Sequence, residues 1–293
     1  MRDSTTIPRL SRVTSQGVTF HTDEALFEET DIRIAFSERT VGVSMPPYAS
    51  LNLGLHVGDD KESVWENRHR FAQALGLNEY ATHHIASAEQ VHGVHVGKVD
   101  TSHKAQAEVD PAPFSSTDAL ITDQHNQPLL LCFADCVPVI LVCPCADKRA
   151  VAVVHSGWRG TLEEISSVAL QSLIDEYGVD PRSVFAYIGA YIGPKNFQVS
   201  LDIASQFAAK FDTLSTVMSP SRLSNLSRND RGEVTVQFDL ADAIVESLTK
   251  LGVLPCNIVP LDVCSVETTD RFFSYRAEQG VTGRHGALAC LCQ

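Results

Sequence analysis

Short, unbroken apolar runs mark the middle and the end of the chain. Residues 129–133 (LLLCF), 139–143 (VILVC) and 149–154 (RAVAVV) are too short for typical helices and too apolar for strands with a wet face. They predict strands buried on both sides. Pro138 has no N–H for a ladder, which predicts a break or bulge near Cys136. Further strands are predicted over 32–36, 117–122, 184–192, 234–238 and 287–291. Alternation of Val91, Gly93 and His95 against His92, Val94 and Val96 predicts another, with His92 on the face of the valines. Helical periodicity is clear after Asp59 and Asp60, where Val64, Arg68, Phe71 and Leu75 share one face and Gly76 suits the stop. It recurs over 162–177, over 202–211 behind Asp202, and after Asp239, with Leu240, Ile244, Leu248 and Leu251 on one face. Residues 1–30 read as a polar, irregular extension, and 42–55 and 101–116 as loops. The Ser-, Asn- and Arg-rich stretch 212–232 reads as an insertion. No repeat or linker divides the remainder. Irregular alternation of strands and helices predicts one mixed α/β domain over 31–293.

Composition narrows the classes. The 293 residues are 44% hydrophobic and 20% charged, which fits a globular chain with a sizeable core. A net charge of −13 argues against general binding of nucleic acid or anionic membrane, though it leaves room for a local phosphate pocket. No apolar run approaches the roughly 18–20 residues that span a bilayer. The first residues lack the apolar core of a secretory signal. A cytoplasmic location is expected, and the eight cysteines then read as thiols or metal ligands.

The chemistry gathers where strands end. The run 149–154 stops on His155, followed by Ser156-Gly157-Trp158-Arg159-Gly160-Thr161. Asp135-Cys136 lies between two other runs. Neutral imidazole and thiolate are natural ligands of zinc or of copper, so His92, Cys136 and His155 form a candidate site with a fourth tetrahedral position open. The separations are long, and two readings stay open beside it: a core histidine with an inert thiol, or a Cys–His nucleophile pair. Cys143/Cys145 and Cys290/Cys292 could in principle make a tetrathiolate site, but their place in or beside apolar runs favours core packing. The glycine turn before a helix start, with Arg159 beside it, is a candidate phosphate site, and Arg276 adds charge.

Taken in order, several segments form a pattern: Ser50-Leu-Asn-Leu-Gly54, Glu66-Asn-Arg68, Gln90-Val-His-Gly93, Thr117-Asp-Ala-Leu120, Ala134-Asp-Cys-Val-Pro138 and His155-Ser-Gly-Trp-Arg-Gly-Thr161. Ile192-Gly-Pro194, Phe272-Phe-Ser-Tyr-Arg276 and Thr282-Gly-Arg284 complete it. From about residue 32 onward the chain resembles the laccase-domain proteins, also called multicopper polyphenol oxidoreductase-like proteins and now regarded as purine nucleoside phosphorylases.

The resemblance implies a single α/β domain of mixed sheets with helices packed outside. It implies a metal, zinc above all with copper as the alternative, held by His92, Cys136 and His155. It further implies phosphorolysis of adenosine, inosine and 5′-methylthioadenosine, with adenosine deamination as a second activity. Cys136, Asp118, Asp135 and Arg159 are the expected catalytic residues, with one of the two aspartates moving protons or orienting a ligand. Asn52, Arg68, Arg159 and Arg276 are the expected contacts to nucleoside and phosphate. The older reading of the family is copper-dependent phenol oxidation, and some relatives are linked to correcting peptidoglycan precursors. Multicopper chemistry calls for clustered histidines; the 11 here include no H-x-H pair, and only 3 methionines are present. The chain departs from the family pattern at Ser156, Ala190, Gln198 and Ala277, none of them a ligand position.

Overall fold

Alternation along the apolar strands shows why they are apolar throughout. In a computed structural model of the protein, which describes residues 7–100, 114–145, 147–212, 226–228, 232 and 234–292, two large sheets lie face to face with helices outside both. The first elements are β1 (Ser11–Ser15), β2 (Val18–Thr22), α1 (Glu24–Thr30), β3 (Ile32–Ser37), α2 (Lys61–Ala74), α3 (Glu79–His83), β4 (Val96–Lys98) and β5 (Ala119–Thr122). The centre follows as β6 (Leu129–Phe133), β7 (Val137–Cys143), β8 (Ala150–Ser156), α4 (Trp158–Leu162), α5 (Ile165–Tyr177) and β9 (Phe185–Ile188). Then come β10 (Gln198–Ser200), α6 (Leu201–Lys210), β11 (Leu226–Arg228), β12 (Val234–Gln237), α7 (Leu240–Lys250), β13 (Ile258–Pro260) and β14 (His285–Leu291).

One sheet runs β1-β2-β3-β14-β6 and the other β13-β9-β7-β8-β5-β4; β10, β12 and β11 form a small third. In β7, Val139 and Leu141 join the layer under α5 and α7, while Ile140 and Val142 join the layer between the sheets. In β8, Ala152 and Val154 point to the helices, and Val151 and Val153 to the opposite sheet. Both faces of these strands are dry, so period-2 contrast vanishes from the sequence. The other sheet packs its outer face on α2 and α3.

Five expectations are corrected. Residues 11–30 are not irregular: β1 and β2 form a hairpin whose Gln16 and Gly17 both take positive φ, and β2 is buried against β3. The strand expected across 91–96 begins only at Val96, because His92 is left-handed (φ 65) in a turn. The break near Pro138 falls at Asp135 (φ 87); Pro138 lies within β7, opposite His155. The helix expected over 162–177 starts at Ile165, behind a left-handed Glu164. Ser200, not Asp202, caps α6 through its side chain. The loop expected over 101–116 and the insertion over 212–232 lie mostly outside the described residues. Cys143 and Cys290 fall in different core layers, on opposite sides of the sheet pair, as core packing of the two C-x-C pairs requires.

Candidate metal centre and cavity

Sheet register sets two of the three candidate ligands side by side. β7 and β8 are antiparallel with Pro138 opposite His155, so Cys136 comes one step past the ladder's end, diagonal to His155. Both lie at one end of the gap between the sheets. His92 arrives from the turn before β4. Asp118, fully buried at the start of β5, holds that turn by accepting from the backbone N–H groups of Val91 (3.2 Å), His92 (2.9 Å) and Gly93 (2.7 Å). It also accepts from His155 Nδ1 at 2.7 Å. One carboxylate therefore fixes the backbone of one imidazole and the tautomer of the other, leaving His155 Nε2 for the site.

The donor atoms of His92, Cys136 and His155 all lie within 4.8 Å of one another, and Cys136 Sγ stands 3.6 Å from His92 Nε2. Tetrahedral bonds of zinc to nitrogen and sulfur put ligand atoms about 3.5 Å apart, so this donor set fits such an ion after a small contraction. Electrostatics agree. Burial opposes ionisation of Cys136, yet the neighbouring imidazoles pull its thiol well below the usual range. Burial opposes charge on His155 too, and Cys136 with Asp118 pushes it up. Together the shifts describe a thiolate paired with an imidazolium, and a cation that displaced the His155 proton would meet one thiolate and two imidazole nitrogens. For Asp118 the burial penalty is outweighed by its bonds to His155 and to the amides, and its carboxyl is held low. Gly157 packs directly against the site: a Cβ there would stand 2.5 Å from His92 Cδ2 and 3.2 Å from Cys136 Sγ.

Above the three ligands opens a cavity of about 520 Å³. Its polar lining includes His56, Gln90, Asp135, Arg276 and Arg284. Its apolar lining includes Trp158, Ile192, Phe197 and Leu240, and Tyr275 in the lining is exposed. Arg276 and Arg284 bring two positive charges to this cavity in a chain of net charge −13. Burial first, then Arg284, Arg68 and His155, push the His56 imidazole down to about 4. Burial likewise lowers Arg284.

Comparison with known proteins gives this arrangement a family. The family model described as multi-copper polyphenol oxidoreductase laccase matches residues 33–292. The chain belongs to this family. It is 33% identical over 260 residues to a purine nucleoside phosphorylase of Corynebacterium glutamicum, covering 89% of this chain and 94% of that one. It is 34% identical over 244 residues to the purine nucleoside phosphorylase YlmD of Geobacillus stearothermophilus, covering 83% and 84%. The crystal structure of YlmD from that organism superposes with a TM-score of 0.80 at 28% identity, over 98% of this chain and 99% of that one. A Bacillus licheniformis protein titled hypothetical protein YfiH gives 0.79 at 27% identity, over 95% and 97%.

The laccase-family residues expected in the site divide into three groups. His92, Cys136 and His155 meet, and Asp135 and Arg276 line the cavity. Asp118, Asn52 and Arg68 lie behind its wall. Asn52 accepts from the N–H groups of Gly54 and Arg284 and donates to Asp59, so its side chain shapes the loop that presents Arg284. Arg68 donates to the Leu53 carbonyl and lines a separate groove of about 610 Å³ with Trp65 and His69. Arg159 is exposed and lies over the ring of Trp158, a cavity residue, at 4.8 Å, without itself lining the cavity. The turn at Gly157 is packed against His92 and Cys136. Asp135 accepts from Ser265 Oγ (2.7 Å) and from the Arg276 N–H (2.6 Å), which makes it a bracket for the loop bearing Arg276. Sequence reasoning missed His56 and the apolar lining, and took Arg284 only as a turn residue. Its place directly after Gly283, whose Cβ would meet the Phe273 ring at 2.7 Å, was the available signal of a tightly fixed side chain.

Proposed function

We propose that this protein is a metal-dependent purine nucleoside phosphorylase acting on adenosine, inosine and 5′-methylthioadenosine, with adenosine deamination as a second activity. The observation that carries the reading is the cavity itself, which brings two arginines and a set of apolar side chains over the His–Cys–His cluster. Phosphorolysis needs an anion and a flat, apolar base held on opposite sides of one ribose. Arg276 and Arg284 hold phosphate, with His56 neutral beside them as a further hydrogen-bonding group. Trp158, Phe197, Ile192 and Leu240 take the purine. His92 Nε2, Cys136 Sγ and His155 Nε2 hold the metal, zinc in this reading and copper as the alternative; when bound it supplies a Lewis acid that stabilises developing negative charge. Asp118 keeps His155 in the tautomer that offers Nε2 and keeps His92 aimed into the site. Asp135 has both carboxylate oxygens engaged and serves position rather than proton transfer.

Phosphate attack at C1′ of the ribose breaks the bond to the base and gives ribose 1-phosphate and free purine. The two arginines orient the attacking oxygen and offset the charge of the dianion. True multicopper oxidation would need further histidine clusters, and His92, Cys136 and His155 are the one ligand cluster found among the described residues. A cytoplasmic setting fits the eight free thiols. No helix among the described residues is long and apolar enough to cross a membrane.

The test is incubation of purified protein with inosine, with and without phosphate, followed by chromatography of the bases. Hypoxanthine released only with phosphate is the expected result. Release independent of phosphate, or none with metal-loaded protein, refutes phosphorolysis. Adenosine converted to inosine without phosphate tests the second activity separately.

A further inference from the structure

The strap 271–278 carries Tyr275 and Arg276 to the cavity, and its two ends are fixed differently. Near the cavity, Asp135 accepts from the Arg276 N–H and the Asn196 carbonyl accepts from its guanidinium at 3.1 Å. At the far end stands Glu38, just past β3, with a side chain fully withdrawn from water. Arg271 donates to it from Nε (2.9 Å) and Nη2 (2.7 Å). Two residues of the amino-terminal hairpin close on the same carboxylate. Arg12 of β1 donates to both oxygens at 2.8 Å, and His21 Nε2 of β2 lies 3.0 Å from Oε1. The Arg39 N–H donates to the Arg271 carbonyl at 2.7 Å, and the His21 ring stacks on Phe272 at 6.0 Å. Phe272 and Phe273 are fully buried, so the strap is stiff between Arg271 and the cavity. The hairpin lies before residue 33, where the family match begins.

We propose that Glu38 is a positioning residue for the cavity: it clamps Arg271 to the hairpin through Arg12 and His21 and so sets where Arg276 and Tyr275 stand. Without its carboxylate, the Arg12 and Arg271 guanidinium groups would face each other with no anion between them, and the strap would shift away from β3. The displacement passes along the buried Phe272-Phe273 pair to Arg276, while the His–Cys–His cluster, held by Asp118 on another sheet, keeps its place. The inference rests on the phosphorylase reading only where it speaks of phosphate.

The test uses the full-length, metal-loaded protein with Arg12→Ala, Arg12→Lys and Glu38→Gln. Thr14→Ala serves as a control that weakens the same hairpin at its Thr14–Thr19 side-chain hydrogen bond, which leaves the Glu38 carboxylate and its arginine partners untouched although the Thr19 carbonyl accepts from the Glu38 N–H. Hydrogen exchange of the 274–278 amides is followed beside metal content and steady-state kinetics. Expected are faster exchange in this strap for Arg12→Ala and Glu38→Gln, unchanged metal content, and a KM for phosphate raised about tenfold at nearly unchanged kcat. Arg12→Lys should recover part of both changes, and Thr14→Ala should lower the melting temperature without either. If Arg12→Ala and Glu38→Gln behave like Thr14→Ala, with exchange and KM at wild-type levels, the clamp is only structural and the proposal falls. The exchange readout stands without turnover, so faster exchange in a protein that shows no phosphorolysis supports the clamp and overturns the phosphorylase reading instead. Should Glu38→Gln not fold, the Arg12 pair decides alone.

Discussion

Replacing Asp118 by Asn tests the logic of the metal centre more directly than removing a ligand. The carboxylate accepts four hydrogen bonds, three from backbone amides and one from His155 Nδ1. An asparagine keeps one acceptor oxygen. If that oxygen retains the contacts of Oδ1, the amide group faces the N–H groups of Val91 and Gly93 with donors on both sides. At least two bonds to a charged acceptor are lost, each worth about 1.5–3 kcal/mol, so the metal-free protein should lose about 3–6 kcal/mol. Metal affinity should fall about 10- to 100-fold, because the His92 turn and the His155 tautomer are no longer fixed. Urea titration of metal-free protein gives the first quantity, and zinc competition against a chromophoric chelator the second. The pH dependence adds a check of sign. The Asp118 carboxyl is held below its ordinary value of 3.8, so its contribution is present above that value and is lost as pH falls through the lowered one. The gap between wild type and variant should narrow in acid. Equal stability of the two proteins at neutral pH, with zinc affinity unchanged, would refute the assignment of Asp118 as the organiser of the site.

Gly157→Ala should strip most of the metal, because its methyl group would stand 2.5 Å from His92 Cδ2; metal per chain by mass spectrometry is the readout. Arg276→Ala and Arg284→Ala should each raise the KM for phosphate by roughly 10- to 150-fold, the value of one charge-assisted bond, whereas Arg159→Ala should leave it within about twofold. Phosphate-dependent initial rates separate the three. Burial pushes the His285 imidazole down to about 3, while in the unfolded chain it titrates near 6.5. Between those values only the unfolded chain binds that proton, so stability falls with pH there by up to about 1.4 kcal/mol per unit. Urea midpoints at pH 7 and pH 5 should show this slope in wild type and lose it in His285→Leu.

Local pattern alone determined the strands of the core, the caps at Asp60 and Asp239, and the helices behind them, because burial and capping leave marks within a few residues. Continuous apolar runs at β6, β7, β8 and β14 could only be strands with two dry faces, and boundaries moved by a residue or two. The candidate ligands were legible one at a time, as donor atoms at the ends of strands, and as a set through the ordered motifs. Other features had no local mark. The amino-terminal hairpin was lost because polar residues outnumber the few that face β3, though Gln16-Gly17 between two alternating stretches carried the turn. At His92 the local pattern misled: alternation favoured a strand, but three amide bonds to a carboxylate 26 residues away hold a left-handed turn instead. The roles of Asp118 and Asp135 could not be told apart in sequence, since each is an aspartate beside a strand. Only the packing of β5 under the His92 turn, and of the 265–276 loop over Asp135, gave one to the ligands and the other to the strap. The cavity walls were decided the same way. His56, Arg284, Phe197 and Leu240 come from four loops or element ends far apart in the chain. They meet because the large sheets and the small third sheet that Phe197 and Leu240 flank pack around one cavity, a property of layer packing that no single segment encodes.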